Sequence, residues 1–321
     1  MGDLRLPLRA RRLAALAALL PFTLHSTGVT GADVLKARLG GRPAALGEAY
    51  VALGDDLASM YYNPAGLAAL KTASLSFLHY AAVAGISTEQ LAYAHPTDAG
   101  AIAVSFLYRG QPDISNPLAT DQPVVAYDLV LGLSYAQSPA YFLQDLPELL
   151  QKSHLGLNLK WVRSHLGRFD ADAYAIDAGL RMPLPLAEDL VGAVSLLNLG
   201  TQMKFIDVAD PLPALLQAGV AKKFDLWEGN ALNVAADLEA PFYGTMRIHV
   251  GLEDKLGKSL ALRFGYLIDS PQSLNGLTGG LGLELDQEGL AFGVDYAYRP
   301  LYYDGFNSFE AQHLLQMRLG F

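Results

Sequence analysis

The most constraining feature of this chain is an alternation with a period of two residues, recurring in segment after segment down to the C-terminus. From Glu288 onward, Leu290, Phe292, Val294, Tyr296 and Tyr298 share one face, and Ala291, Gly293, Asp295, Ala297 and Arg299 share the other. Only an extended strand places residues i and i+2 on the same side. The pattern repeats with Leu260, Leu262, Phe264, Tyr266 and Ile268 against Ser259, Ala261, Arg263, Gly265 and Leu267, and with Met246, Ile248, Val250 and Leu252 against Arg247, His249, Gly251 and Glu253. Similar arms begin near Leu75, Leu91, Ala101, Val125, Leu155, Tyr174, Leu190, Leu215, Leu232 and Leu281, and the last runs from Phe309 to Phe321, giving fourteen in all. Charged residues make up 17% of the 321, below the roughly 25% of an average soluble domain, and mean hydropathy is positive. Yet beyond the N-terminus no stretch has the roughly 18 unbroken apolar residues of a spanning helix. A membrane protein without such helices satisfies its backbone in lipid only as a closed barrel.

An even strand count fits a bacterial barrel, and strands of about ten residues occupy about half of the chain left after residue 32. The expected fold is therefore all-β, a 14-stranded antiparallel transmembrane barrel, integral to the bacterial outer membrane with both termini periplasmic and outer-membrane lipid as its surroundings. Short turns at Thr97-Asp98, Asp254 to Gly257 and Asp286 to Gly289 fall on the inner side, and longer loops at Gly110 to Gln122, Gly200 to Pro213 and Pro300 to Ser308 on the outer side. Helical spacing of Phe142, Leu146, Leu149 and Leu150 predicts a short amphipathic helix within Tyr141 to Lys152 at the periplasmic rim. A soluble β-sandwich also buries one face of each strand, but two features favour the barrel. Tyr296, Tyr298, Tyr302 and Tyr303 cluster at segment ends as in an aromatic girdle. Phe321 is a terminal aromatic like those of outer-membrane assembly signals, which makes the barrel assembly machinery an expected partner.

Arg5, Arg9, Arg11 and Arg12 precede the apolar run Leu13 to Leu24, and small residues follow at Thr30-Gly31-Ala32, so residues 1–32 are expected to be a secretory signal peptide, with a membrane anchor as the alternative. The whole chain carries a net charge of -9, and no basic stripe is present to neutralise phosphates, so no nucleic-acid partner is expected. Absence of Cys excludes thiolate metal sites, disulfides and cysteine nucleophiles. No nucleophile elbow, zinc helix, phosphate loop or dinucleotide fingerprint occurs in a fitting context, so no catalytic residue, metal or cofactor is expected. Some outer-membrane barrels do build active sites from His with Asp, Ser or Asn, and His79, His154, His249 and His313 are the strand candidates for such a role, without a deducible pairing. Adjacent Asp55 and Asp56 lack the ligand spacing of a calcium loop.

The inward register predicts a charged lumen of Lys160, Asp177, Arg181, Asp237, Glu239, Arg247, Glu253, Arg263, Glu284, Asp295, Arg299 and Arg318. These groups either serve transport or pair with one another and with a plug, because a lone desolvated charge costs several kcal/mol. Ala44 to Leu57 has the spacing of a short helix with Leu46, Tyr50, Leu53 and Leu57 on one side. Asn63-Pro64-Ala65-Gly66 has turn chemistry. Together they form either a compact plug or a merely structural helix and turn before the barrel.

Gly40 to Asp56 (GGRPAALGEAYVALGDD) followed by Tyr61 to Leu67 (YYNPAGL) resembles the N-terminal signature of PorV/PorQ-type outer-membrane proteins, within the FadL-like (OmpP1/FadL/TodX) barrels. Further likeness runs through Leu75 to Arg109, Leu157 to Met182, Asn198 to Pro213 and Gly276 to Pro300. The resemblance implies a hatch at 33–72 containing Gly47, Tyr50, Asp55, Asp56, Asn63, Pro64 and Gly66, inside a barrel at 73–321. It implies a non-enzymatic barrel that binds or passes a hydrophobic small molecule or a secreted protein cargo, with a type IX secretion shuttle or attachment component as the alternative. From the facing pattern, Val294→Arg is expected to cost about 2–4 kcal/mol near a bilayer midplane, measured by urea unfolding in vesicles, and Asp295→Asn is expected to cost little.

Overall fold

A computed structural model describes residues 30–37, 39–81, 85–112, 124–227, 229–269, 276–302 and 309–321. Most of the expected signal peptide and of the loops at 110–122 and 300–308 therefore lies outside the described residues. The strands are β1 (Ser74–Ala81), β2 (Ser87–Thr97), β3 (Gly100–Gly110), β4 (Ala126–Gln137), β5 (His154–Leu166), β6 (Phe169–Pro183), β7 (Leu190–Gly200), β8 (Met203–Lys204), β9 (Ala209–Asp210), β10 (Leu215–Asp225), β11 (Ala231–Pro241), β12 (Arg247–Leu256), β13 (Leu260–Asp269), β14 (Gly276–Gln287), β15 (Leu290–Tyr302) and β16 (Phe309–Gly320). Fourteen of them close into an antiparallel barrel, as the alternation predicts, and β8 and β9 form a separate two-stranded hairpin. Every barrel strand pairs with its neighbours in the chain, β7 pairs with β10 past the hairpin, and β1 pairs with β16 from Ser74↔Gly320 to Ala81↔His313. Among the described residues the barrel sheet itself leaves no backbone edge open to solvent or lipid.

Side-chain facing follows the sequence pattern. On β15 Phe292 and Tyr296 are exposed while Asp295 and Ala297 are fully buried, and on β13 Phe264 and Tyr266 are exposed while Arg263 is buried. The outer wall is thus a band of Leu, Ile, Val, Phe and Tyr, and the inside is small or charged. At one rim, the turn rim, connections are as tight as Asp98-Ala99 and Glu288-Gly289, the latter with φ of 53° and 88°, the left-handed pair that matches strand twist in a two-residue hairpin. The opposite, loop rim carries the β8–β9 hairpin.

The barrel encloses the N-terminal segment. Tyr50, Tyr62, Leu46, Met60 and Leu67 are among its fully buried side chains. Close approach of two backbones requires glycine on the wall: a Cβ on Gly156 would lie 2.2 Å from Ala65 N, and one on Gly265 would lie 1.9 Å from Gly47 N. The expected helix over Ala44 to Leu57 does not form. Only Gly41–Ala45 is α-helical, followed by 3-10 turns at Leu57–Tyr61 and Pro64–Ala69. Left-handed backbone at Gly47 (φ 61°) and Glu48 (φ 70°) ends the helix. The wall then takes the amide groups that helix would have used: Gly47 N donates to Thr278 Oγ1 at 2.9 Å, and Tyr50 N and Val51 N donate to Asp237 Oδ2 at 2.5 and 2.8 Å. The rim helix expected over Tyr141 to Lys152 shrinks to Glu148–Gln151, preceded by a 3-10 turn at Pro139–Tyr141. Pro147 restricts the residue before it and lacks an N–H, so helix cannot pass upstream through it.

The first described residues and the C-terminus do not share a rim. Gly31 N donates to Pro211 O at the loop rim, whereas Phe321 N donates to Ala73 O at the turn rim. Replacing Gly156 by Val is expected to expel the Asn63–Gly66 turn from the wall. Limited proteolysis should then cut within residues 57–70 while the barrel stays folded by electrophoretic heat-modifiability.

Candidate functional site

Two features converge inside the barrel: a charge network that fastens the N-terminal segment toward the turn rim, and an apolar pocket toward the loop rim. Arg42 is the hub of the first. Its side chain is 6% exposed and donates to Glu253 through Nε at 2.7 Å and Nη2 at 2.9 Å, while Nη1 donates to Tyr50 Oη at 2.9 Å, Asp55 at 2.5 Å and Asp56 at 3.2 Å. Glu253 also accepts from Arg263 at 2.7 Å, Arg263 donates on to Asp295 at 2.6 Å, and Arg318 donates to the second oxygen of Asp295 at 2.6 Å. Tyr50 Oη donates to Asp56 at 2.7 Å. Burial raises the carboxyl of Asp55, but the Arg42 guanidinium and the Lys255 ammonium together outweigh it and hold the group below its ordinary range.

Most of the predicted lumen residues meet partners. Arg299 donates to Glu48 at 2.6 Å, Arg247 bridges Glu239 and Asp269 at 3.1 and 3.2 Å, and Arg181 donates to the carbonyl of Ala52 at 3.0 Å. Asp237 holds the backbone of Tyr50 and Val51. Glu284 lies 3.7 Å from Arg318 but is half exposed at the turn rim. Of the turn residues, Asn63 accepts from Ala65 N through its side-chain oxygen at 3.1 Å and donates to Val51 O and Leu180 O, each at 3.1 Å. Pro64 opens the 3-10 turn, and a Cβ on Gly66 would lie 2.5 Å from Gly54 O. Phe321 is exposed on the outside, its ring 6.4 Å from Tyr93. His249 is buried, with Nδ1 2.7 Å from Gly47 O and Nε2 3.2 Å from Glu239. His79, exposed, faces Glu89, and His313 faces Tyr296 Oη. Among the described residues no group of three or more His, Asp or Glu is placed to hold a metal ion.

Sequence reasoning did not single out Arg42, Glu48 or the pocket. The signal for Arg42 was present: one charge inside the small-residue run Gly40 to Ala45. The pocket lies between Val34, Leu35, Ala37 and Leu39 of the N-terminal segment and the inward residues Leu107, Val130, Leu197 and Leu215, with a cavity of about 40 Å³. Its polar edge is Ser105, Tyr61, Lys160 and Asn198. Lys160 is engaged by Asp177 at 2.6 Å and by Asn198 Oδ1 at 2.8 Å. Asn198 occupies a left-handed conformation (φ 59°) where the β6–β7 register shifts between Ile176 and Ala178, and its N–H donates to Asp177 at 2.7 Å. A β-bulge therefore borders the pocket. The Tyr61 phenol lies beside Ser105 and Gln90, and burial pushes it up to about 12, so it stays neutral.

The bridging position of Asp295 overturns one expectation of the facing pattern. Asp295→Asn removes the charge between two guanidinium groups and is expected to cost about 3–5 kcal/mol, the scale for breaking a buried ion pair. Chemical denaturation should show that loss, whereas Glu284→Gln at the exposed rim should shift stability by less than about 1 kcal/mol.

Residues 21–123 match the model of a family described as Uncharacterised protein family (UPF0164). That description does not name PorV or PorQ, so the match does not bear out that part of the resemblance. No curated protein matches the chain. Among solved structures, the Ralstonia pickettii toluene transporter TbuX is similar with a TM-score of 0.58 at 13% identity, covering 88% of this chain and 97% of its own. The Pseudomonas putida toluene transporter TodX is similar with a TM-score of 0.57 at 12% identity and the same coverage. At such identities the likeness shows a shared fold: the chain has the closed-barrel fold of TbuX and TodX.

Proposed function

We propose that this chain is an integral barrel of the bacterial outer membrane that takes up or binds small hydrophobic molecules, with residues 33–72 as its hatch. The observation that carries this reading is the apolar pocket that Val34, Leu35, Ala37 and Leu39 form with the wall, whereas the larger cavities toward the turn rim are lined by charged groups such as Arg42, Arg263 and Arg318 or Asp55 and Arg181. The outward apolar band and the fold shared with two toluene transporters support it. With the turn rim periplasmic, as short turns are in such barrels, the pocket opens toward the outside.

A cavity of about 40 Å³ holds water but no aromatic ring, since an apolar cavity of about 150 Å³ is the scale that takes benzene. Entry of a ligand therefore displaces Val34, Leu35, Ala37 and Leu39, a strap held at its start by Gly31 N on Pro211 O. The charge network is better suited to holding the hatch than to binding cargo, because Glu253, Asp295 and Asp177 are each met by a cation inside the protein. The type IX secretion alternative draws on sequence resemblance alone, and no feature of the described residues favours it.

Titrating the detergent-solubilised barrel with N-phenyl-1-naphthylamine should give saturable fluorescence that toluene competes away. Leu107→Asp should weaken binding about tenfold or more, because the apolar area lost is worth about 2 kcal/mol before any cost of the charge. Non-saturable uptake of the probe, unchanged by the substitution, would end the proposal.

A further inference from the structure

The connection between β4 and β5 is built as a small knob on the turn rim. Ser138 Oγ donates to Gln151 O at 2.9 Å, Gln151 Nε2 donates to Leu146 O at 2.7 Å, and Ser153 Oγ donates to Leu149 O at 2.6 Å, so both ends and the middle are tied together by the knob's own groups. Lys152 and Glu148 add an exposed pair at 2.7 Å. With these ties in place, the knob presents Tyr141, Phe142, Leu143, Leu149 and Leu150 at its surface, between 37% and 61% exposed. Five large apolar side chains on a sixteen-residue connection are far more than scattered surface hydrophobics require.

The position of this surface decides what covers it. Leu131, Leu133 and Tyr135 project outward from β4, and the Phe142 ring lies 6.4 Å from Tyr135 and edge-on to Tyr141 at 5.1 Å. The knob's apolar side thus continues the outer band past the last turn of the wall. Tyr135 in turn donates its hydroxyl to the carbonyl of Ala99 in the neighbouring turn, the arrangement of an amphipathic ring at an apolar–polar boundary. The same level recurs further round the rim, where Phe224 is exposed with the Lys222 ammonium 4.9 Å over its ring and Trp227 is 67% exposed. We propose that the 138–153 knob is a membrane-interface anchor, seated in the boundary between headgroups and acyl chains of the leaflet at the turn rim. The proposal rests on the reading of the chain as a membrane barrel, and adds a contact which that reading does not require. Lipid, rather than a protein partner, fits because the surface is continuous with the lipid-facing wall and mixes Tyr, Phe and Leu with a flanking charged pair.

The test uses the full-length barrel in phosphatidylcholine vesicles, with W161F and W227F removing both native tryptophans and with excitation at the tryptophan red edge. F142W reports on the knob, and L133W reports on the outer wall. Vesicles containing lipid brominated near the top of the acyl chains should quench both, and aqueous iodide should quench F142W far less than it quenches free indole. Quenching of F142W by iodide to the level of free indole, with no effect of brominated lipid while L133W stays quenched, would overturn the anchor and leave the barrel intact. Shielding from both quenchers would mean a protein or second-copy contact and would overturn it equally. An L133W variant untouched by brominated lipid would instead sink the membrane reading itself.

Discussion

Closure of the backbone hydrogen-bond ladder is the constraint from which the rest of the molecule follows. Once β1 meets β16, from Ser74↔Gly320 to Ala81↔His313, every barrel strand has two partners and the wall has no free edge. Such a wall can stand in hydrocarbon because its peptide groups are already spent on one another. It also fixes the inside: each strand must direct alternate side chains into a confined cylinder, where bulk and unpaired charge are both penalised. Small residues and matched ions are the two ways the chain meets that demand.

Both appear against the N-terminal segment. Gly156 and Gly265 allow backbone to press on backbone, which a side chain at either position would prevent. Where the wall carries charge, the segment answers it: Arg42 meets Glu253, Glu48 meets Arg299, and the amides of Tyr50 and Val51 meet Asp237. Helical hydrogen bonds are given up in exchange, which is why a sequence with helical spacing from Ala44 to Leu57 adopts a short helix and tight turns instead.

The fourteen strands were legible because alternation is written locally, residue by residue. Their ends were less so. β6 begins at Phe169, five residues before Tyr174, and β2 at Ser87, ahead of Leu91. In both cases the added outward residues are polar, Asp170 and Asp172 on β6 and Glu89 on β2, so an apolar criterion stops where the strand leaves the apolar band. Arg163 on β5 pairs with Asp172 at 3.0 Å there. The inward charges were legible as a set, but their partners were not: Arg42 and Glu253 are 211 residues apart, and only the closed topology brings them together. The apolar pocket was hidden for the same reason, since Val34, Leu107, Val130 and Leu197 come from four separate elements.

The path of the N-terminal segment carries a further consequence for how the molecule is made. It enters beside Pro211 at one mouth and leaves at Ala73 by the other, so it lies lengthwise through a ring whose seam joins the first strand to the last. Pulling a chain through a finished cylinder would mean breaking Arg42, Asp237 and Asn63 from their partners one after another. Laying it down first and zipping the seam around it breaks nothing. The seam pairs Ser74 with Gly320, and the entropy lost in closing a loop grows with its length. Wall and enclosed segment thus fit along the whole path from Gly31 to Ala73, as a mould fits its casting.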